Sequence, residues 1–161
     1  MPAEARTTSL PGRTPVQMLP PVYLFLAMAA MTALDQAWPV RQLFPMPGKM
    51  LGWVPILVGS GLCLAAASRF RRAATTIRPF RESAALVTTG PFRFSRNPMY
   101  LGLVLVLVGY AVIAGSATPW VVLPFFVAVI RRRFVAVEEA MLTDRFGEDY
   151  ERYRRRVRRW L

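Results

Sequence analysis

Two short polar clusters sit at the edges of long apolar runs, Arg96-Asn97-Pro98 and Glu138-Glu139. A guanidinium recognises a carboxylate or phosphate through paired hydrogen bonds, and a carboxylate pair suits a cationic ligand group or another arginine. The chain between the clusters is apolar and broken around Gly115–Pro119, which predicts a helical hairpin turning near Ser116-Ala117. Pro98 lies 18 residues before Ser116, and Glu138 lies 21 after Ala117. At about 1.5 Å per residue both fall roughly 27–32 Å from the turn. Two antiparallel helices would therefore bring the clusters to one depth. Taken alone, an adjacent pair of glutamates is an ordinary solvated helix surface; its level with Arg96 makes it a candidate site.

The rest of the inventory narrows the chemistry. The chain has no histidine, so histidine acid–base catalysis and a Ser-His-Asp triad are unavailable. Cys63 is the single cysteine, which leaves no cysteine-based metal site or disulfide framework within the chain. No metal site is expected. Gly59-Ser60-Gly61 lacks the preceding strand and third glycine of a nucleotide-binding loop, and reads as a close-packing position in a helix. Gly102 and Gly109, seven apart, read the same way. Tyr100, Tyr150 and Tyr153 fit the role of interfacial anchors. Thr88-Thr89-Gly90-Pro91-Phe92 reads as a turn, with Pro98 opening the next helix.

The elements that must position these residues are those of a membrane protein. Of 161 residues 54% are hydrophobic and 19% charged, too apolar a balance for one soluble domain. An all-α polytopic fold is expected, with spans near residues 18–34, 50–68, 98–116 and 118–138 following a polar lead-in over 1–17. The lead-in has none of the pattern of a cleaved signal. Residues 35–49, rich in proline, read as an interfacial loop. Seventeen of the 21 basic residues lie in Arg69–Arg96 and Arg131–Arg159. The positive-inside rule puts loop 69–97 and tail 139–161 in the cytoplasm, together with the N-terminus. The expected location is the cytoplasmic or inner membrane of a prokaryote.

Within the tail, Leu142, Phe146, Tyr150, Tyr153, Val157 and Trp160 recur at helical spacing among arginines. This predicts an amphipathic helix along an anionic membrane surface, with a break at Gly147. Arg131–Arg133 fall only about 21–24 Å from the turn. At least one of them is expected to face a polar cavity or pair with an acid.

The stretch from Leu86 to Gly102, with Thr88-Thr89-Gly90-Pro91-Phe92 and Arg96-Asn97-Pro98-Met99-Tyr100-Leu101-Gly102, followed by Glu138-Glu139 and Phe146-Gly147-Glu148-Asp149-Tyr150-Glu151-Arg152-Tyr153, resembles the isoprenylcysteine carboxyl methyltransferase and phospholipid methyltransferase superfamily. The resemblance implies a membrane-embedded enzyme using S-adenosylmethionine, without a Rossmann domain. Its cofactor pocket would lie at the cytoplasmic ends of the last two spans, closed by the tail. Matched residue by residue, it implies a catalytic role for Arg96, Asn97 and Tyr100. It implies cofactor contacts at Thr89, Gly90, Pro91, Phe92, Asn97, Pro98, Tyr100, Gly102, Glu138, Glu139, Tyr150 and Tyr153. Asn97 stands where the family pattern has histidine; an amide hydrogen-bonds but does not take up a proton as imidazole does.

Methyl transfer to a carboxylate needs alignment and exclusion of water more than a strong base. An isoprenylcysteine-type carboxylate on a lipidic or prenylated acceptor is therefore expected ahead of a phospholipid amine. A reading of another class is a non-catalytic scaffold or lipid-binding subunit retaining the fold. Nucleic-acid binding by the tail is disfavoured, because an aromatic stripe accompanies its basic face.

Overall fold

The structure, a computed structural model, describes residues 19–72 and 85–161. The lead-in over 1–17 and the middle of the loop expected over 69–97 lie outside the described residues. The secondary structure is helical, with Gln42 and Ser116 forming an isolated β-bridge. Helix α1 spans Pro20–Ala37, α2 Trp53–Arg72, α3 Pro98–Ala114, α4 Val122–Ile130 and α5 Ala136–Arg156. Short 3-10 turns cover Gly48–Gly52, Gly90–Arg93 and Thr118–Val121. The all-α expectation is met.

The expected spans map onto these helices unequally. The 25 residues of Gly48–Arg72 form one helix long and apolar enough to cross a membrane, and Pro98–Ala114 is a shorter apolar helix. The last apolar run is composite. It passes from the turn at Thr118–Val121 through α4 and a π-helical turn over Arg131–Val135 directly into α5. That turn presents Arg131, Arg132 and Arg133 to the exterior and buries Phe134 and Val135. The three arginines thus do not enter a polar interior: widening the helix by a residue brings the apolar pair inward and leaves the cations outside.

Helices α2 and α3 run antiparallel and meet through glycines. A Cβ on Gly59 would lie 2.5 Å from the carbonyl oxygen of Gly102, and one on Gly102 would lie 2.5 Å from Cys63 Sγ. Gly52 and Gly109 are related in the same way one heptad away. Small residues let two backbones approach where lipid offers no hydrophobic drive. On the other face of α3, Leu107 and Ala111 pack with Ala27 and Met31 of α1 and with Phe126, Ile130, Phe134 and Val135. Phe25, Leu57, Leu64 and Phe125 stand exposed, an outer surface matched to hydrocarbon rather than water.

The proline-rich loop after α1 is stitched to the α3–α4 turn. Leu43 and Phe44 N–H donate to the Gly115 carbonyl at 2.7 and 3.0 Å, and Ala117 N–H donates to the Arg41 carbonyl at 3.1 Å. Ser116 Oγ donates to Asp35, and Thr118 Oγ1 donates to the Trp38 carbonyl at 2.7 Å. Gly115, at φ 89°, ends α3 in the left-handed region. These bonds fix the end of the bundle opposite the clusters, so the register counted from that turn holds at their depth.

Gly102→Leu forces α2 and α3 apart and should cost about 1–3 kcal/mol or more. It is expected to lower the unfolding temperature in detergent, whereas Gly61→Leu, at a position with open space beyond the α-carbon, should leave it nearly unchanged.

Candidate functional site

Pro98 is the first residue of α3 and cannot donate from its nitrogen; Asn97 before it takes φ −129°, ψ 54°, outside the α region as a residue preceding proline requires. That corner turns Ser95 and Asn97 inward, where both are buried. Ser95 Oγ accepts from Asn97 N–H at 3.1 Å, and the Arg96 side chain, 10% exposed, extends toward α5.

The first turn of α5 supplies the acids, and the adjacent carboxylates diverge. Residues one apart on a helix point about 100° apart. Glu138 Oε1 accepts from Tyr100 OH at 2.8 Å. Glu139 lies between two arginines: Arg96 Nη1 is 3.1 Å from its Oε1, while Arg159 donates from Nε to Oε1 at 3.0 Å and from Nη2 to Oε2 at 2.5 Å. Arg96 Nη1 also donates to Tyr150 OH at 3.4 Å. The depth matching of Arg96-Asn97-Pro98 with Glu138-Glu139 is thus realised as direct contact.

Arg159 belongs to a segment that the sequence pattern misassigns. The stripe extends to Trp160, but α5 ends at Arg156 and Val157 is extended, at φ −124°, ψ 130°. The chain then runs back over the corner before α3. Arg96 N–H donates to the Arg158 carbonyl at 3.0 Å; Asn97 Nδ2 and Ser95 Oγ donate to the Arg159 carbonyl at 3.1 and 3.3 Å. Trp160 packs against the core. We call residues 157–161 the strap. Asn97, where the related pattern has histidine, therefore serves as a hydrogen-bond donor to it. Arg158 and Arg159 look no different in sequence from the other tail arginines.

The middle of the tail's apolar stripe faces the protein. Tyr150 and Tyr153 are buried, and Tyr153 OH donates to the Phe92 carbonyl at 2.7 Å. The break at Gly147 is present, with φ 47°, ψ −120°; it lets the second half of α5 fold back onto the turn at Gly90–Arg93. Burial is the main cause that holds both phenols above their ordinary range, with the Glu139 charge adding to the effect on Tyr150 and Arg96 opposing it. The hydrogen bond to Glu139 raises the Arg159 guanidinium.

The remaining expected site residues divide. Gly90, at φ 65°, has Arg69 against its α-carbon. The Pro91 carbonyl accepts from the N–H groups of Phe94 and Ser95, and the Phe92 ring meets Phe70 edge-on at 5.1 Å. Thr89 and Tyr153 line a cavity of about 510 Å³ with Thr88, Arg93, Asp149 and Arg152. Tyr150 joins this cavity's wall to the carboxylate cluster through its ring contact with Tyr153, at 6.2 Å between centroids. Gly102 lies in the α2–α3 seam, where its open α-carbon serves packing.

Glu139→Gln leaves Arg96 and Arg159 facing each other without a counter-charge and should destabilise the fold by about 3 kcal/mol, read as a lowered unfolding midpoint. Asn97→Asp turns a donor into a second acceptor opposite the Arg159 carbonyl and should cost more than Asn97→Ala, itself worth about 1 kcal/mol. The raised phenols bind protons more tightly folded than unfolded. Their contribution is complete below about pH 10 and declines above it, as the unfolded chain ionises first. A pH titration of the unfolding midpoint should show this fall, reduced in Tyr153→Phe.

The profile of the family described as phospholipid methyltransferase matches residues 48–149. That range holds α2, the glycine seam, the corner before α3 and both carboxylates, and stops before the strap. A protein of Haemophilus influenzae described as uncharacterized is 40% identical over 63 residues, which are 39% of this chain and the whole of that protein. No solved structure matches the chain at a significant level. The match covers more than half of the chain and includes the Arg96–Glu139 and Tyr100–Glu138 pairs, and the chain belongs to the phospholipid methyltransferase family.

Proposed function

We propose that the protein is an integral membrane S-adenosylmethionine-dependent methyltransferase acting on a lipidic acceptor. The observation that carries this reading is the buried pairing of Arg96 and Tyr100 with Glu139 and Glu138 at one end of the helices. In this reading the bundle crosses the bilayer four times as one domain over 18–161, with the site and both termini on the cytoplasmic side. The arginines around the site and the basic tail support that orientation.

The donor set suits the cofactor. Arg96 is nearly buried, yet its Nε has no hydrogen-bond partner among the described residues. A buried donor of that kind calls for an acceptor, and the carboxylate of the cofactor supplies one. Glu138 and Glu139 offer negative charge to a cationic group, and Gly90–Phe92 offers backbone groups to a nucleoside. When bound, S-adenosylmethionine would supply a methyl group activated on a sulfonium, with the neutral thioether as leaving group. The protein's share is placement: the Tyr100 hydroxyl fixes Glu138, and Arg96, which also donates to Tyr150 OH, fixes Glu139. Apolar surroundings exclude water from a reaction that water would divert.

Two acceptors suit different features. A carboxylate needs no base before it is methylated, which favours an acidic acceptor, an isoprenylcysteine-type carboxylate methylated on oxygen. The family's description and Glu138, a carboxylate able to receive a proton, favour a phospholipid amine of the phosphatidylethanolamine type. Membranes containing the protein, incubated with methyl-labelled cofactor and extracted into organic solvent, should yield a labelled lipid. Release of volatile label by mild base identifies a methyl ester and the first acceptor; base-stable label identifies the amine. The Glu138→Gln/Glu139→Gln double variant, if folded, should lose cofactor binding by calorimetry, and undiminished affinity would end the assignment of the carboxylates. Wild-type protein that binds no labelled cofactor would point instead to a non-catalytic scaffold.

A further inference from the structure

Glu139 has two cationic partners of unlike character. Arg96 is 10% exposed and fixed at the corner before α3, where its own N–H and its neighbours' side chains are engaged. The Arg159 side chain is 37% exposed and sits on a five-residue segment beyond the end of α5. Release of Arg159 would expose a cation that water solvates readily, and Glu139 would retain Arg96 at 3.1 Å. Detachment therefore leaves no uncompensated buried charge, the circumstance that makes breaking a buried ion pair costly.

Three hydrogen bonds from Ser95, Arg96 and Asn97 to strap carbonyls also hold the segment. All three end on backbone oxygens of Arg158 and Arg159, so they form or break together with the ion pair. The strap leaves α5 at Val157, whose extended φ of −124° and ψ of 130° end the helix, so it can lift away while Tyr150 and Tyr153 stay buried. The strap is a unit with one charged contact at its tip.

We propose that the strap is an internal competitor: the Arg159 guanidinium occupies on Glu139 the place of the cofactor's cationic end, and the cofactor binds by displacing it. This rests on the cofactor reading given above. A ligand that must first displace a docked segment binds with an affinity reduced by the fraction of molecules in which the segment is undocked.

The test uses the full-length protein in detergent with S-adenosylmethionine. Arg159→Ala should bind it roughly tenfold more tightly than wild type, corresponding to about 1.4 kcal/mol in favour of the docked strap; Arg159→Lys, which keeps the charge, should gain less. In wild type, saturating cofactor should speed tryptic loss of the residues after Arg158, followed by intact mass. This readout stands even where Arg159→Ala fails to fold. Unchanged or weaker binding by Arg159→Ala, or cofactor protection of the tail from trypsin, would make the strap part of the binding site and overturn the proposal while leaving the methyltransferase reading intact. Absence of binding by wild type and Arg159→Ala alike would overturn both.

Discussion

The end of this bundle that carries the site depends on one buried carboxylate. Glu139 accepts from two arginines far apart in the chain, Arg96 just before α3 and Arg159 three residues beyond the end of α5. A lone carboxylate in that setting would be strongly disfavoured, and Arg96 without it would share the problem. Together they tie the hairpin, the kinked tail and the strap into one unit. Tyr150 and Asn97 extend the network, the first through Arg96 and the second through the Arg159 backbone.

The apolar seam does the complementary work. Gly59 against Gly102 and Gly52 against Gly109 set the approach of α2 to α3, and bonds between the Trp38–Phe44 loop and Gly115–Thr118 lock the far end. With one end fixed and the separation set, the axial positions of Pro98 and Glu138 follow from rise per residue alone. Electrostatics then only has to select among nearby side chains.

That division explains what could be read from sequence. The meeting of Arg96 with the Glu138-Glu139 pair was accessible by counting along two antiparallel helices, and Gly147 announced its own break. The separate partners of Glu138 and Glu139 were not accessible, because they depend on the rotation of α5 rather than on depth. Arg159 is one of ten basic residues from Arg131 onward, and nothing in its neighbours distinguishes it. Val157 and Trp160 keep helical spacing although the helix has ended, since the core accepts Trp160 from an extended segment too. The tail's burial against the protein was hidden by a stripe that suits a membrane surface equally well.

The π-helical turn at Arg131–Val135 carries a geometrical consequence for the whole last helix. An extra residue within a helical turn shifts the phase of everything after it by roughly 100° relative to an uninterrupted α-helix. Upstream, α4 directs Leu123, Phe126 and Ile130 inward; downstream, α5 directs Glu139 inward. The inserted residue is thus a phase adjuster between two segments with different obligations, one to hydrocarbon and one to charge. Each can keep its own facing residues without forcing a rotation on the other.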